Sequence, residues 1–303
     1  MLKLRGPHGT LVVPRPAETP VGFAPLVRKL HNILRGAPSF SLCFLAIALL
    51  CAVFAAHLAP CSPVATNPTH ILQAPSVFSP HVLGTDNQGR DILSRLIYGA
   101  QTSVKVGVLS VFLAAAVGTL IGLVSGVFRG WTDRLLMRFT DLFLALPYLM
   151  VALTAVSLLG PSITNVILVI GLLRWMGFAR VLRGEVLRLV EMDFVRLAVV
   201  AGCSRCRIML RHILPNLINT LLVLVTLEVG LAVIVEASLS FLGLGVPRPW
   251  PSWGSMLRDA QQYIYLAWWF PLIPGIAITL LVMSANLTGD WLRDRFDPTR
   301  RQL

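Results

Sequence analysis

Six apolar stretches recur along the 303-residue chain, near Phe40–Ala59, Val104–Val127, Leu135–Leu159, Ile163–Leu182, Leu217–Leu239 and Trp268–Leu287. A hydrocarbon core about 30 Å thick is crossed by roughly 20 apolar residues of helix. The pattern therefore predicts an all-α membrane protein with six transmembrane helices, the longer stretches tilting or overrunning the bilayer. Composition agrees: 55% of residues are hydrophobic and only 13% charged, too little charge for a soluble domain.

The net charge of +12 invites a nucleic-acid reading, and its distribution argues against one. With the N-terminus inside, twenty of the 26 Lys and Arg fall on inside segments. Five (Arg90, Arg95, Lys105, Arg248 and Arg258) fall on outside segments or outer helix ends, and Arg174 lies within the fourth span. That asymmetry is the positive-inside signal and predicts both termini in the cytoplasm. It makes the lipid bilayer the partner and gives no reason for nucleic acid.

Residues 1–37 scatter five prolines among charges and predict an N-terminal cytoplasmic tail, with a short amphipathic helix near Leu26–Leu34. Residues 38–83 hold the first span and an external loop, 84–292 a core of five spans, and 293–303 a cytoplasmic C-terminal tail. The loop over 241–267 is rich in aromatics suited to a membrane interface. Leu58-Ala59-Pro60-Cys61 loosely suggests a lipoprotein cleavage site, but Pro60 sits where a small residue is wanted, and the first span reads as a retained anchor. Cys43 and Cys51 lie within that span, and Cys61 stands alone outside. Cys203 and Cys206 have the spacing of half a zinc site with no second pair to complete it.

No HExxH, GxSxG or phosphate loop occurs. Gly84–Asp91 is acidic and glycine-rich, but Gly89 stands at position four counting Asp86 as the first, where a calcium loop needs its glycine at position six. The plainer expectation is a turn, with Asp91 capping a helix through Tyr98 along the outer surface.

Asp193–Pro215, DFVRLAVVAGCSRCRIMLRHILP, is the segment that departs from a topology-setting loop. Phe194, Leu197, Ala198 and Ala201 recur at helical spacing, as do Ile208, Leu210 and Ile213 less regularly. Gly202 permits a bend between two short helices, and Pro215 can start the next span. Two helices lying flat under a membrane make a rigid protrusion able to transmit force.

This segment resembles the coupling loop of ABC importer permeases. Asp193, Phe194, Val195, Ala198, Gly202, Ser204, Ile208, His212, Leu214 and Pro215 match the pattern of the peptide-importer branch, and Arg196 replaces its nominal Glu. Leu197, Val199 and Cys203 stand where that branch usually has Ala, Arg and Ala. LGTDNQGRDILSRLIYGAQTS, GWTDRLLMRFTD, WMGFARVLRGEVL, EASLSFLGLG, PSWGSML and NLTGDWLRDRFDP are similar, in order, to the C-type subunit of dipeptide, oligopeptide or nickel importers. The resemblance spans about 84–299.

It implies a type I importer fold in the bacterial inner membrane, forming half of a pathway for di- or oligopeptides. The implied partners are a second homologous permease, two cytoplasmic ATPases and an external binding protein. No cofactor is expected on this chain, with ATP and Mg used by the partners. The implied ATPase-coupling residues are Asp193, Phe194, Arg196, Ala198, Gly202, Ser204, Ile208, His212, Leu214 and Pro215. Nickel chelates or glutathione are alternative substrates, and an ion-coupled secondary transporter is the alternative of a different class. A membrane-embedded hydrolase would need a convergent nucleophile and base or metal ligands, which the motifs lack.

Charges within the spans form the last set. Glu228 and Glu236, eight residues apart, share roughly one face of the fifth span, and Arg174 lies near the middle of the fourth. Such charges face a cavity or a partner. An ion pair between Arg174 and Glu228 is preferred; contact with the termini of a passing peptide is the alternative.

Overall fold

The computed structural model describes residues 36–296. The chain separates into two units at Ala37–Pro38, and the first lies almost wholly outside the described residues, as do the helix expected near Leu26–Leu34 and residues 297–303. Among the described residues the second unit is all-α, with one isolated bridge between Thr85 and Asp91.

In chain order the helices are α1 Ser39–Leu58, α2 Ile92–Phe128, α3 Gly130–Leu144, α4 Tyr148–Leu159, α5 Ile163–Val190, α6 Asp193–Val200, α7 Arg205–Phe241, α8 Trp253–Ala260 and α9 Trp269–Phe296. Five of them (α1, α2, α5, α7 and α9) are long and apolar enough to cross a membrane, and α3 with α4 makes a sixth if the bent pair is one span. The loops after α1 and α7 share one end of the bundle with α8; α6 lies at the other.

Three expectations are corrected. The stretch Leu135–Leu159 is not one helix: α3 and α4 meet at 84°. Pro147 cannot donate a backbone hydrogen bond, and Leu146 before it is steered away from α geometry. The helix capped by Asp91 does not stop at Tyr98 along a surface. No breaker separates it from Val104, so α2 runs 37 residues, about 55 Å at 1.5 Å per residue. The second short helix expected after Gly202 is not separate either. The chain is helical from Arg205 onward, and a π-helical turn over Ile208–Ile213, closed by Leu214 N–H to Met209 O, leads into the span. Such a turn relieves the ring clash of Pro215 with the preceding turn, and Asn216 Nδ2 donates to His212 O at 2.6 Å.

α2 and α5 form the packed centre. A Cβ on Gly118 would lie 2.4 Å from Phe178 Cβ, one on Gly122 2.9 Å from Ala179 O, and one on Gly126 2.5 Å from Val186 Cγ1. The i, i+4, i+8 glycine row lets the two backbones approach closely, where hydrophobicity alone would not hold helices together in lipid. Val106, Ile170, Leu182, Ile213 and Leu217 are fully buried beside this seam. A second cluster joins Ile92, Trp253, Met256, Phe270 and Leu281 with Ala48 of α1. α1 buries only Ser41, Ala48 and Ala55 and exposes Phe40, Leu49, Leu50 and Val53, as a lipid-facing helix does.

Candidate functional site

α6 is short, and its two faces differ. Val195 and Ala198 are buried and join the core cluster that holds Ile208 and Ile213. Leu197, Val199 and Val200 are 68, 60 and 85% exposed, and Phe194 is also exposed. The apolar row read in the sequence is thus divided: Ala198 seats the helix, while Phe194, Leu197 and Ala201 face outward. The helix ends in a Schellman arrangement, with Gly202 N–H to Val199 O at 2.9 Å and Cys203 N–H to Ala198 O at 3.0 Å. Gly202 has φ +76°, the left-handed region where a side chain is strained, although space around it is open. Ser204 then caps α7, its Oγ accepting from Arg207 N–H at 3.4 Å. Asp193 lies in the first turn of α6, where negative charge suits the helix N-terminus. His212 and Leu214 are half-buried and Pro215 is exposed.

Ion pairs tie this segment to the bundle. Glu191 accepts from Arg129 at 2.6 Å and from Arg196 at 3.1 Å, linking the end of α2 to the start of α6. The Arg129 guanidinium first, and then that of Arg196, holds the Glu191 carboxyl below its ordinary value. Arg205 lies 5.8 Å from the Phe128 ring centroid. Nearby, Asp133 of α3 accepts from Arg183 Nη2 at 2.7 Å and also bonds Ser125, while Asp141 pairs with Arg180. The GWTDRLLMRFTD and WMGFARVLRGEVL stretches are therefore held together by two ion pairs.

Arg174 and Glu228 meet between α5 and α7, Arg174 Nε donating to Glu228 Oε2 at 2.7 Å. The pair is not sealed, with side chains 22 and 17% exposed. It lines a cleft of about 130 Å³ with Tyr148, Phe143 and Gly177, directly beside the α3–α4 break. Arg174 sits 5.4 Å from the Tyr148 ring centroid, and the buried Tyr148 hydroxyl has no hydrogen-bond partner among the described residues. Sequence reasoning missed Tyr148; the Leu146-Pro147 break just before it was the available signal.

Glu236 is a different kind of site. It is fully buried and accepts from Ser103 Oγ at 2.9 Å and Ser240 Oγ at 2.7 Å. Gly254 packs so closely on Ala237 that a Cβ would stand 2.4 Å from Ala237 O, and a Cβ on Gly99 would likewise stand 2.7 Å from Trp253 Cδ1. The EASLSFLGLG and PSWGSML stretches thus pack on each other and on α2. Asp86, Arg90, Arg95 and Asp259 form a second buried knot at this end, with Arg90 Nε 2.6 Å from Asp86 and 3.1 Å separating Arg90 from Asp259. The sequence offered Asp86 and Arg90 only as turn residues. Asp259, which holds both arginines, had no local signal because it lies 169 residues from Arg90.

Comparison with known proteins places this architecture. The family described as the inner membrane component of binding-protein-dependent transport systems matches residues 118–302. The dipeptide transport system permease protein of Alkalihalophilus pseudofirmus is 42% identical over 250 residues, 82% of each chain. The di/tripeptide transport system permease protein of Pseudomonas aeruginosa is 39% identical over 261 residues, 85% of this chain and 86% of its own. The glutathione transport system permease protein of Escherichia coli is 42% identical over 218 residues, 72% of each. With all-helical architecture and apolar spans in agreement, the chain belongs to the family of binding-protein-dependent transport system inner membrane components.

Proposed function

We propose that this chain is the permease subunit of an ATP-driven importer and forms half of a pathway for di- or oligopeptides delivered by an external binding protein. It hydrolyses nothing itself; two cytoplasmic ATPases using ATP and Mg do so, and a second homologous permease completes the pathway. The observation that carries the reading is α6, seated by Val195 and Ala198 while Phe194, Leu197, Val199 and Val200 stay exposed at the arginine-rich end. An apolar helix face rimmed by polar residues suits a protein groove. Its mounting on Gly202 and on the Glu191 ion pairs suits a lever, because rigid-body alternation needs a connection stiff enough to carry motion.

The proposed orientation puts both termini and α6 in the cytoplasm, on the side of twenty basic residues. In that frame 1–37 and 293–303 are cytoplasmic tails, 38–83 is an anchor with its external loop, and 84–292 is the permease core carrying the coupling segment at 193–215. Asp193, Phe194, Arg196, Ala198, Gly202, Ser204, Ile208, His212, Leu214 and Pro215 shape or present that segment. Arg174 and Glu228 hold each other across the pathway cleft, and Glu236 braces α7 against α2 and α8. Peptide is preferred because two of the similar proteins are named for it; the glutathione relative makes that tripeptide a second substrate to assay.

A carboxylate beside a broken helix is also what an ion-coupled transporter uses. Reconstitution with the cognate partners distinguishes the two: dipeptide uptake follows ATP and the binding protein, with no response to a proton or sodium gradient. Uptake that follows an ion gradient without ATP overturns the proposal.

A further inference from the structure

Cys61, read from sequence as isolated, is not isolated in the fold. Its Sγ, a ring nitrogen of His81 and a carboxylate oxygen of Asp91 all lie within 4.8 Å of one another. His81 Nδ1 is 3.1 Å from Asp91 Oδ1, and the two side chains are 14 and 1% exposed. Asp91 Oδ2 is already committed, accepting from Ser94 N–H and Ser94 Oγ at 2.7 Å each. Its other oxygen, Oδ1, faces His81. Ser94 Oγ also accepts from Cys61 N–H at 3.0 Å, so one serine positions both the thiol-bearing backbone and the carboxylate.

A helix-capping Asp with a histidine against it needs no further explanation. A thiol converging on the same point does. Thiolate, imidazole and carboxylate are the three ligand types zinc takes, at about 2.0–2.3 Å, with tetrahedral donors then roughly 3.3–3.8 Å apart. The cluster reaches that spacing by closing about 1 Å. Ser94 is the kind of outer support that orients a metal-bound carboxylate. His70, edge-on to His81 with centroids 5.7 Å apart, is held by Gln73 at 3.1 Å and backs the imidazole.

We propose that Cys61, His81 and Asp91 bind a zinc-type divalent ion, with water in the fourth position, stapling the chain after α1 to the head of α2. The mixed thiolate–imidazole set favours zinc or cobalt over magnesium or calcium. The site is independent of the transport reading.

The full-length chain in detergent, stripped with chelator, tests this. Zinc, but not magnesium, should slow maleimide labelling of Cys61 at least about tenfold, mapped by mass spectrometry against Cys43, Cys51, Cys203 and Cys206 of the same chain. Cobalt should give a near-ultraviolet thiolate charge-transfer band. His81→Ala should abolish both effects, and Ser94→Ala should weaken zinc binding about 10–100-fold, the usual cost of losing outer support. Because labelling is read in the wild-type chain, misfolding of a variant does not blunt the test. Equal Cys61 labelling with and without zinc, or protection unchanged in His81→Ala, overturns the proposal.

Discussion

At the scale of single residues, Gly202 carries the sharpest expectation. Its φ of +76° costs a side chain about 1–2 kcal/mol, and nothing lies within 4 Å to add a clash. Transport in the assembled complex should therefore fall in the order Gly, Asn, Ala, Val at position 202, because Asn tolerates this backbone best. Pro, locked at negative φ, should abolish it, and equal activity across the series would remove the conformational argument. Gly118 fails differently. A methyl there meets Phe178 and the Trp175 carbonyl at 2.4 and 2.5 Å, so Gly118→Ala should destabilise the chain by about 1–3 kcal/mol, read as a lower unfolding temperature in detergent. Removing Arg174 alone should cost about 1–3 kcal/mol by leaving the partly buried Glu228 without its partner, and exchanging the two charges should restore activity if the pair is structural. Failure of the exchange with folding intact would give the pair a role toward substrate. Glu236→Ala should destabilise by about 1–3 kcal/mol, because Ser103 and Ser240 lose their shared acceptor.

At the scale of elements, the long apolar runs and the helical period of 193–201 were legible because a span or a seated helix needs many residues to agree. What was hidden depended on one residue or on distance. The α3–α4 bend turns on Pro147 inside an otherwise unbroken apolar run. Which row of α6 faces inward was not written in spacing alone, since both faces are apolar and only the contact of Val195 and Ala198 with Ile208 and Ile213 decides it. The Cys61 cluster draws on residues spread over thirty positions, so no local pattern marks it. The mounting of α6 also has a pH signature. Glu191, held down by Arg129 and then Arg196, remains ionised as pH falls into the ordinary carboxylate range. Its contribution is present at higher pH and is lost only as pH drops through its own lowered value. The protection factors of α6 amides, with the intrinsic pH dependence of exchange divided out, should thus be unchanged by mild acidification, whereas Glu191→Gln should lower them at neutral pH.

At the scale of the whole molecule, the stretches singled out in the sequence fall into two assemblies at opposite ends of the bundle. One joins the 84–104 stretch, EASLSFLGLG and PSWGSML through Glu236 and the Asp86–Arg90–Arg95–Asp259 knot. The other joins GWTDRLLMRFTD, WMGFARVLRGEVL and α6 through Asp133–Arg183, Asp141–Arg180 and Glu191. The glycine seam of α2 and α5 runs between them, and the Arg174–Glu228 cleft opens between α5, α7 and the α3–α4 break. This arrangement suits a chain that receives force at one end and opens a path toward the other. The most direct test is to isolate the tagged chain with the proposed partner ATPases and compare wild type with Leu197→Glu, which places a charge on the exposed face of α6 and touches no core residue. The account predicts that ATPase is retained by the wild-type chain and falls at least about tenfold with Leu197→Glu, while helical content and unfolding temperature stay the same. Equal recovery of ATPase with both chains, at equal transport, would contradict it.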